Sequence, residues 1–329
     1  MEIIERIKCF LRANTFYTKY LQTHVNDMRY FIRGCKYYVK YYSFKQDRKV
    51  TGHTLFFIID PAIRHPGLAD RFKAIVGCYY IAKLNGFDFK IIFETPFLLH
   101  DYLDENRCSW MADRQVLSFS LRNARVIAYN GGGKIPRLNR KVKQYHVYSY
   151  IGYDILETNR VPEYKKRWGE LFNDLFIPKD VIMRRIAATG FAKDEYVAVH
   201  LRFVNALEHF ERDHFNELTA DQKENLIQRC LAGIRTIQRQ HADKPLLVFS
   251  DSALFLKRVS ELPVHTLDGA IGHISFDNNS ETFVKTFLDY YMISYARHIY
   301  MVRASELYNS VYPYYAALSG NKEAIIVEV

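Results

Sequence analysis

The segment Val197-Ala-Val-His-Leu-Arg-Phe203 combines an apolar strand pattern with side chains that can bind a phosphate group. Residues two apart on a strand point to the same face, so His200 and Arg202 can contact one ligand. A guanidinium offers a planar set of donors that matches two phosphate oxygens. Ligands collect at the carboxyl ends of strands in open α/β sheets, which predicts a phosphate site here. From the residue types alone, an Arg in a surface ion pair is an equally good interpretation.

Two further polar segments follow apolar runs. The run 246–249 stops at Ser250-Asp251-Ser252, which predicts a helix N-cap, a ligand contact, or both. Ser310 precedes another predicted helix, whose first backbone N–H groups can meet an anion.

Asp289 lies in a mostly apolar helical pattern over 283–296. An unpaired carboxylate in such surroundings is costly, so a partner is expected. Lys285, one turn earlier, can supply a structural ion pair. The alternative is a ligand that donates hydrogen bonds to Asp289.

Gly67 and Asp70 stand at the start of a predicted helix over 67–84. They fit either a close backbone approach to a ligand or a plain strand-to-helix turn. Asn130-Gly-Gly-Gly-Lys134 lacks the Ser or Thr and the helix of a phosphate loop, so a flexible turn is predicted. No metal site is expected, because His209 and His214 lack zinc spacing and no Asp-x-Asp occurs.

Strand and helix patterns alternate from residue 54 onward, which is typical of parallel sheets in an α/β fold. Strands are predicted at 55–59, 89–93, 126–129, 196–201, 246–249, 264–266, 298–302 and 324–327. Helices are predicted at 67–84, 220–240, from 252, 283–296 and 308–318, with connecting helical segments in 151–190. We therefore expect an arm (1–50) followed by two α/β domains, 51–185 and 186–329.

The charge is concentrated at the amino-terminal end. The 329 residues carry a net charge of +10, and residues 1–50 hold eleven Lys or Arg against four Asp or Glu, which is +7. A packed helical arm and an interfacial segment on anionic lipid both fit this pattern, whereas nucleic acid is not expected. The five cysteines form no CxxC pair, no apolar run reaches membrane length, and the amino-terminal residues lack the pattern of a signal peptide. These features predict a cytoplasmic protein, with a peripheral location on the inner face of the cell membrane as the alternative that the basic arm offers.

Together these segments resemble the fucosyltransferase superfamily with the GT-B fold, which contains α-1,6-, α-1,2- and protein O-fucosyltransferases. The resemblance covers about residues 54–320. It includes His-x-Arg-Phe at 200–203, Gly67-Leu-Ala-Asp-Arg71, Ser250-Asp-Ser252, Asp289 and the Ser310 segment, in the family's order. It implies two Rossmann-like domains facing a central cleft, with the acceptor side in 51–185 and the donor side in 186–329. It also implies GDP-fucose as the donor substrate, inversion, and no cofactor or metal.

The resemblance also implies roles for individual residues. Arg202 would hold the β-phosphate and His200 would contact the nucleotide. Asp289 would accept N1–H and N2–H of guanine. Ser310 would meet the pyrophosphate, with Asp251 nearby.

Two points depart from the family or stay open. The α-1,6 and α-1,2 enzymes usually carry a second Arg after the motif, where this chain has Phe203. Glu208 and Glu211 are candidates for the general base, with Asp70 as a third. We expect a bacterial enzyme that adds fucose to a capsular or lipopolysaccharide-type glycan, which can be lipid-linked. Transfer from GDP-mannose and a non-enzymatic basic adaptor are the alternatives.

Overall fold

The computed structural model describes Met28, Ile32 and residues 35–61, 65–127, 137–148, 164–208, 218–269 and 279–329. The chain divides into two compact units. Unit 1 comprises residues 1–60, 73–93 and 108–165, and unit 2 comprises residues 61–72, 94–107 and 166–329. The predicted boundary at 185/186 follows the strand pattern and stays a prediction.

Unit 1 contains a four-stranded sheet whose strands all pair in parallel. Its strands are β1 (Thr54–Ile59), β2 (Asp88–Phe93), β4 (Ala124–Ile127) and β5 (Gln144–Val147). Their order is β2-β1-β5-β4. The β1 strand is almost fully buried, which explains its continuous apolar sequence.

The helix α1 (Leu68–Asn85) joins β1 to β2 and ends where the sequence predicts. Gly86 has φ +64°, a left-handed conformation that glycine adopts without steric cost. The N–H groups of Gly86 and Phe87 bond the carbonyls of Lys83 and Ala82, which is a Schellman cap.

Unit 2 contains a five-stranded parallel sheet. Its strands are β7 (Val197–Leu201), β8 (Leu246–Ser250), β9 (His265–Thr266), β10 (His298–Arg303) and β11 (Ala324–Glu328). The order is β11-β10-β7-β8-β9. The chain thus moves outward from β7 to β9 on one side and returns through β10 and β11 on the other. This places the reversal of strand order between β7 and β10.

Four helices of unit 2 follow or precede these strands: α4 (Ala220–Gln240), α5 (Ala253–Val259), α6 (Ser280–Tyr295) and α7 (Tyr312–Ser319). A capping box between Thr219 and Gln222 starts α4, and Ser252 caps α5 through the N–H of Phe255 at 3.1 Å. The predicted N-cap at Ser252 is confirmed.

The two faces of the unit 2 sheet carry different side chains. Val199 and Leu201 of β7 and Val302 of β10 enter an apolar core formed with α4 and α5. Because side chains alternate along a strand, His200 and Arg202 lie on the opposite face.

An aromatic cluster explains why two early segments belong to unit 2. The ring of Phe72 lies 5.0 Å from Phe172 and 5.2 Å from Tyr290, and Tyr102 stacks on Phe287 at 4.9 Å.

The remaining elements of unit 2 are α2 (Tyr164–Leu175, whose first two residues belong to unit 1), α3 (Asp180–Ala188) and the antiparallel pair β3 (Leu103–Glu105) and β6 (Phe176–Pro178).

Three predicted boundaries are corrected. The helix predicted over 283–296 spans Ser280–Tyr295, because Asn279 caps it through the N–H of Glu281. The helix predicted over 308–318 begins at Tyr312, because Tyr308 and Ser310 form a turn in which the N–H of Ser310 bonds the carbonyl of Tyr308. The strand predicted over 126–129 begins at Ala124, and its residues 128 and 129 lie outside the described part. Also outside it lie Asn130–Lys134, His209, Glu211, His214 and most of residues 1–34.

Candidate functional site

The carboxyl ends of β7 and β10 form the topological switch point of unit 2, the position at which open α/β sheets bind ligands. The strands pair through Met301↔His200. His200 is the penultimate residue of β7, and Arg202 follows the strand directly. The structure therefore places His200 and Arg202 at the edge where the sequence predicts a phosphate site.

Asp251 anchors Arg202 and the turn after β7. Its Oδ2 lies 3.2 Å from Nε of Arg202, and the two side chains are 4% and 17% exposed, respectively. Its carboxylate also accepts the backbone N–H groups of Phe203 at 2.7 Å and Val204 at 2.8 Å. With Nε held, the plane of the guanidinium is oriented, which favours recognition of an anion with fixed geometry.

The turn after β7 is strained at Val204, which has φ +53°. A β-branched side chain rarely adopts this left-handed conformation, and the strain costs about 1–3 kcal/mol. The hydrogen bonds to Asp251 hold the turn in place and offset this cost. Such strain is a common feature of ligand-binding turns.

The loop after β10 is tied to the same turn. The N–H of Tyr308 bonds the carbonyl of Arg202 at 2.9 Å. Ser310 follows in this loop, and its Oγ accepts the N–H of Tyr312 at 3.3 Å, in the first turn of α7. Ser310 thus lies at the amino end of α7, as predicted, within a loop connected to Arg202.

His200 is buried beside Tyr312, with 5.9 Å between the ring centroids. Burial, and secondly the charge of Arg202, lowers the pKa of His200 to about 3. The imidazole is therefore neutral at pH 7 and offers one donor and one acceptor nitrogen. Folding disfavours protonation of this imidazole. The titration of His200 therefore leaves the free energy of unfolding unchanged above about pH 6.5 and lowers it as the pH falls towards 3.

Asp289 is paired with Lys285 on α6, as one of the two interpretations predicts. Nζ of Lys285 lies 2.6 Å from Oδ1 and 2.7 Å from Oδ2 of Asp289. Burial raises the pKa of Asp289, and Lys285 opposes the rise. The aliphatic part of Lys285 passes Gly269, where a Cβ would stand 2.9 Å from Cδ of the lysine.

Tyr312 connects the two halves of this site electrostatically. Burial raises the pKa of Tyr312 well above its ordinary value, the charge of Asp289 raises it further, and Arg202 lowers it. Tyr312 therefore lies within electrostatic range of both Asp289 and Arg202. No motif marks Tyr312 in the sequence, although its position in the first turn of α7 is a signal.

Glu208 lies at the amino end of α5. Its carboxylate accepts Oγ–H of Ser252 at 3.1 Å and the N–H of Leu254 at 3.2 Å. Ser250 accepts the N–H of Ser252 at 3.2 Å. These residues follow β7 and β8 as predicted, while the other base candidate, Glu211, lies outside the described residues. The identity of a general base stays a prediction.

Gly67 and Asp70 belong to unit 2 because Phe72 anchors this end of α1. The neighbouring Arg71 is buried and donates to the carbonyl of Pro66 at 2.8 Å and that of Thr95 at 2.9 Å. These bonds fix the turn that precedes α1. A contact of Gly67 or Asp70 with a ligand stays a prediction.

Within the described ranges, no group of three or more His, Cys, Asp or Glu residues is placed to hold a metal ion. Among the helices of the same ranges, none is long and apolar enough to cross a membrane.

The fold is similar to that of solved fucosyltransferases. A NodZ α-1,6-fucosyltransferase soaked with GDP-fucose has 16% sequence identity and a TM-score of 0.56, covering 84% of this chain and 95% of that chain. NodZ from Bradyrhizobium has 15% identity and a TM-score of 0.53, covering 81% and 92%. Arabidopsis thaliana FUT1 in complex with GDP has 12% identity and a TM-score of 0.50, covering 98% and 78%. No protein-family model and no curated protein matches the sequence.

These similarities confirm the predicted fold class. The chain has the two-unit α/β fold of the GT-B fucosyltransferases, with parallel sheets in both units.

Proposed function

We propose that the chain is a glycosyltransferase that moves fucose from GDP-fucose to a glycan acceptor with inversion. The observation that carries this proposal is Arg202, held by the buried Asp251 at the switch point of a Rossmann-type sheet. The shared fold supports it, because fucosyltransferases of that fold have been crystallised with GDP-fucose and with GDP.

The proposed phosphate end of the donor lies at Arg202, His200 and Ser310. When the bond between the fucose C1 and the phosphate oxygen breaks, negative charge develops on the β-phosphate of the leaving GDP. A fixed guanidinium stabilises that charge more strongly in the transition state than in the ground state. The amino end of α7, next to Ser310, adds the favourable positive end of the helix dipole.

The proposed base end of the donor lies at Asp289. Its two oxygens can accept the parallel N1–H and N2–H donors of guanine. In the described arrangement Nζ of Lys285 holds both oxygens, so the nucleotide must displace the ammonium group. The lysine stem is flexible, and guanine O6, beside N1, is an acceptor that the displaced Nζ can meet. The charge of Lys285 opposes the rise that burial causes in the pKa of Asp289, which favours the carboxylate form that the interaction with guanine requires.

The acceptor hydroxyl attacks C1 from the face opposite GDP, and a carboxylate takes its proton. Glu208, Glu211 and Asp70 are the candidates for this general base. The carboxylate of Glu208 already accepts two hydrogen bonds from the start of α5, which orient it. The transfer needs no divalent metal in this proposal.

We further propose that the acceptor is a capsular or lipopolysaccharide-type glycan met at the inner face of the cell membrane. The support is a segment of unit 1 in which large apolar side chains are exposed beside lysines. Val39 is 88% and Phe44 is 74% exposed. Lys36, Lys40 and Lys45 lie between or next to them, the combination that binds anionic lipid surfaces.

A thermal-shift panel with GDP-fucose, GDP-mannose, GDP and UDP-glucose tests the donor. A ligand at 100 times its Kd adds about 2.7 kcal/mol to the free energy of unfolding. We expect stabilisation by the three guanine nucleotides, turnover with GDP-fucose, and unchanged turnover in EDTA. Turnover with GDP-mannose alone would replace the proposed sugar, and no stabilisation by any guanine nucleotide would contradict the proposal.

A further inference from the structure

Arg303 is the last residue of β10, the strand next to β7 at the switch point. The two strands pair through Met301↔His200. Two residues further along the chain stand Arg303, which ends β10, and Arg202, which directly follows β7. Side chains two apart share a face, so both guanidinium groups belong to the same face at the same edge. Adjacent strands are about 4.8 Å apart, which brings the two side chains within reach of one ligand.

This face of the sheet also carries the proposed phosphate site. The alternate residues Tyr300 and Val302 of β10 pack in the apolar core with α4. Arg303 therefore points away from that core, towards the side that His200 and Tyr312 occupy.

The side chain of Arg303 is only partly satisfied within the protein. Its Nε is buried and has no hydrogen-bond partner in the described part of the chain. The residue in register on the outer strand β11, Glu328, is an exposed carboxylate, and no ion pair joins the two side chains in the described structure. A buried donor of a charged group without a partner costs free energy unless a ligand satisfies it.

Arg303 differs from the other cations near the switch point in the balance of charge around it. Two cations of the proposed site are each paired with a carboxylate: Arg202 with Asp251, and Lys285 with Asp289. Each of these pairs is close to neutral as a whole, and His200 is neutral at pH 7. A diphosphate carries several negative charges, so a positive charge that no carboxylate offsets is needed at this edge.

We propose that Arg303 is a second phosphate-binding arginine, which contacts the β-phosphate of the nucleoside diphosphate together with Arg202. The inference rests on the proposed function, because it assumes that unit 2 binds a nucleoside diphosphate. Arg202 supplies an oriented guanidinium with its charge balanced by Asp251, and Arg303 supplies the net positive charge.

Titration calorimetry with GDP, GMP and guanosine tests the proposal on the full chain. We expect Arg303→Gln to weaken GDP binding about tenfold to a hundredfold, the effect of losing a hydrogen bond to a charged group. Binding of GMP should weaken less than about threefold, and guanosine binding should not change. Arg303→Lys should recover part of the GDP affinity, because it keeps the charge without the planar fork.

Three controls make the result specific. Arg239→Gln, on an exposed position of α4, should leave GDP binding unchanged. Glu328→Gln should also leave GDP binding unchanged. That result would exclude an effect of Arg303 on GDP binding that depends on the carboxylate of Glu328. Arg303→Met keeps the aliphatic stem and is measured alongside, so that the test remains decisive if Arg303→Gln fails to fold.

The possible failures are distinguishable. If the wild-type protein binds GDP and the folded Arg303 variants bind it equally well, Arg303 is not a phosphate ligand. An equal loss of GDP and GMP affinity would refute the assignment to the β-phosphate. If the wild-type protein binds no guanine nucleotide, the proposed function itself is wrong, and the inference fails with it.

Discussion

Replacing Asp251 tests whether this carboxylate holds the proposed phosphate site together. Asp251→Ala removes the acceptor of two backbone N–H groups and the partner of Arg202. Each buried N–H without an acceptor costs about 1–3 kcal/mol, and breaking a buried ion pair costs about 3–5 kcal/mol. These contributions overlap, so we expect a loss of about 3–5 kcal/mol in the free energy of unfolding. Asp251→Asn keeps one acceptor oxygen and should lose about half as much.

Urea unfolding measures the stability that this network provides. It is applied to the wild type, Asp251→Ala, Asp251→Asn, Arg202→Gln and the double variant Arg202→Gln/Asp251→Asn. The double-mutant cycle should give a coupling between the two side chains of at least about 1 kcal/mol. Asp243→Ala is the control, because the Asp243 side chain is 76% exposed. A loss below about 1 kcal/mol for Asp251→Ala would show that the turn at Val204 does not depend on Asp251.

Three further predictions concern catalysis, pH and membrane contact. Arg202→Ala should lower kcat with GDP-fucose about 10²–10³-fold, and Arg202→Lys should restore only part of it, as steady-state kinetics will show. Calorimetry should find that GDP affinity falls as the pH drops towards the raised pKa of Asp289. In Lys285→Met the same fall should occur at higher pH, because Lys285 lowers the pKa of Asp289. Replacing Val39 and Phe44 by Ser should weaken binding to anionic vesicles in a flotation assay, and wild-type binding should fade at high salt.

Each of these predictions has an outcome that would contradict it. Near-wild-type kcat in Arg202→Ala would mean that the arginine is structural. An identical pH profile in Lys285→Met would mean that Asp289 does not take part in GDP binding as a carboxylate. For the vesicles, Leu84→Ser is the matched control, since Leu84 is 58% exposed elsewhere in unit 1. Vesicle binding that is absent or insensitive to salt in the wild type would favour a packed arm.

The sequence was sufficient to predict the elements with a clear apolar period. The helix α4 coincides with its predicted range 220–240, because its buried residues recur every three or four positions. The strand β5 (Gln144–Val147) was missed because Gln144 and His146 interrupt the apolar pattern. Both are nevertheless buried. The side chain of Gln144 accepts the N–H of Ser118 at 2.7 Å, and Nδ1 of His146 lies 2.6 Å from the hydroxyl of Tyr42. Such long-range partners have no local signal.

The candidate site shows the same division between local and long-range information. The alternation of strands and helices predicts parallel pairing, which puts the carboxyl ends of all strands at one edge. The polar residues at the end of β7, His200 and Arg202, were therefore predictable. The anchoring role of Asp251 was not, since it depends on a turn 47 residues away. Arg303 carries no motif, and its neighbour β7 becomes evident only when the register of β10 is known.

The central claim is that unit 2 binds a guanine nucleotide through Asp289, and calorimetry of GDP and UDP against the wild type and Asp289→Asn tests it directly. Asp289→Asn presents a donor where guanine also presents donors. We expect the wild type to prefer GDP strongly, and Asp289→Asn to lose about 1.5–3 kcal/mol of GDP binding with little change for UDP. Asp243→Asn, at an exposed position, should bind both nucleotides as the wild type does. Equal binding of GDP and UDP by the wild type, or unchanged GDP affinity in a folded Asp289→Asn, would contradict the claim.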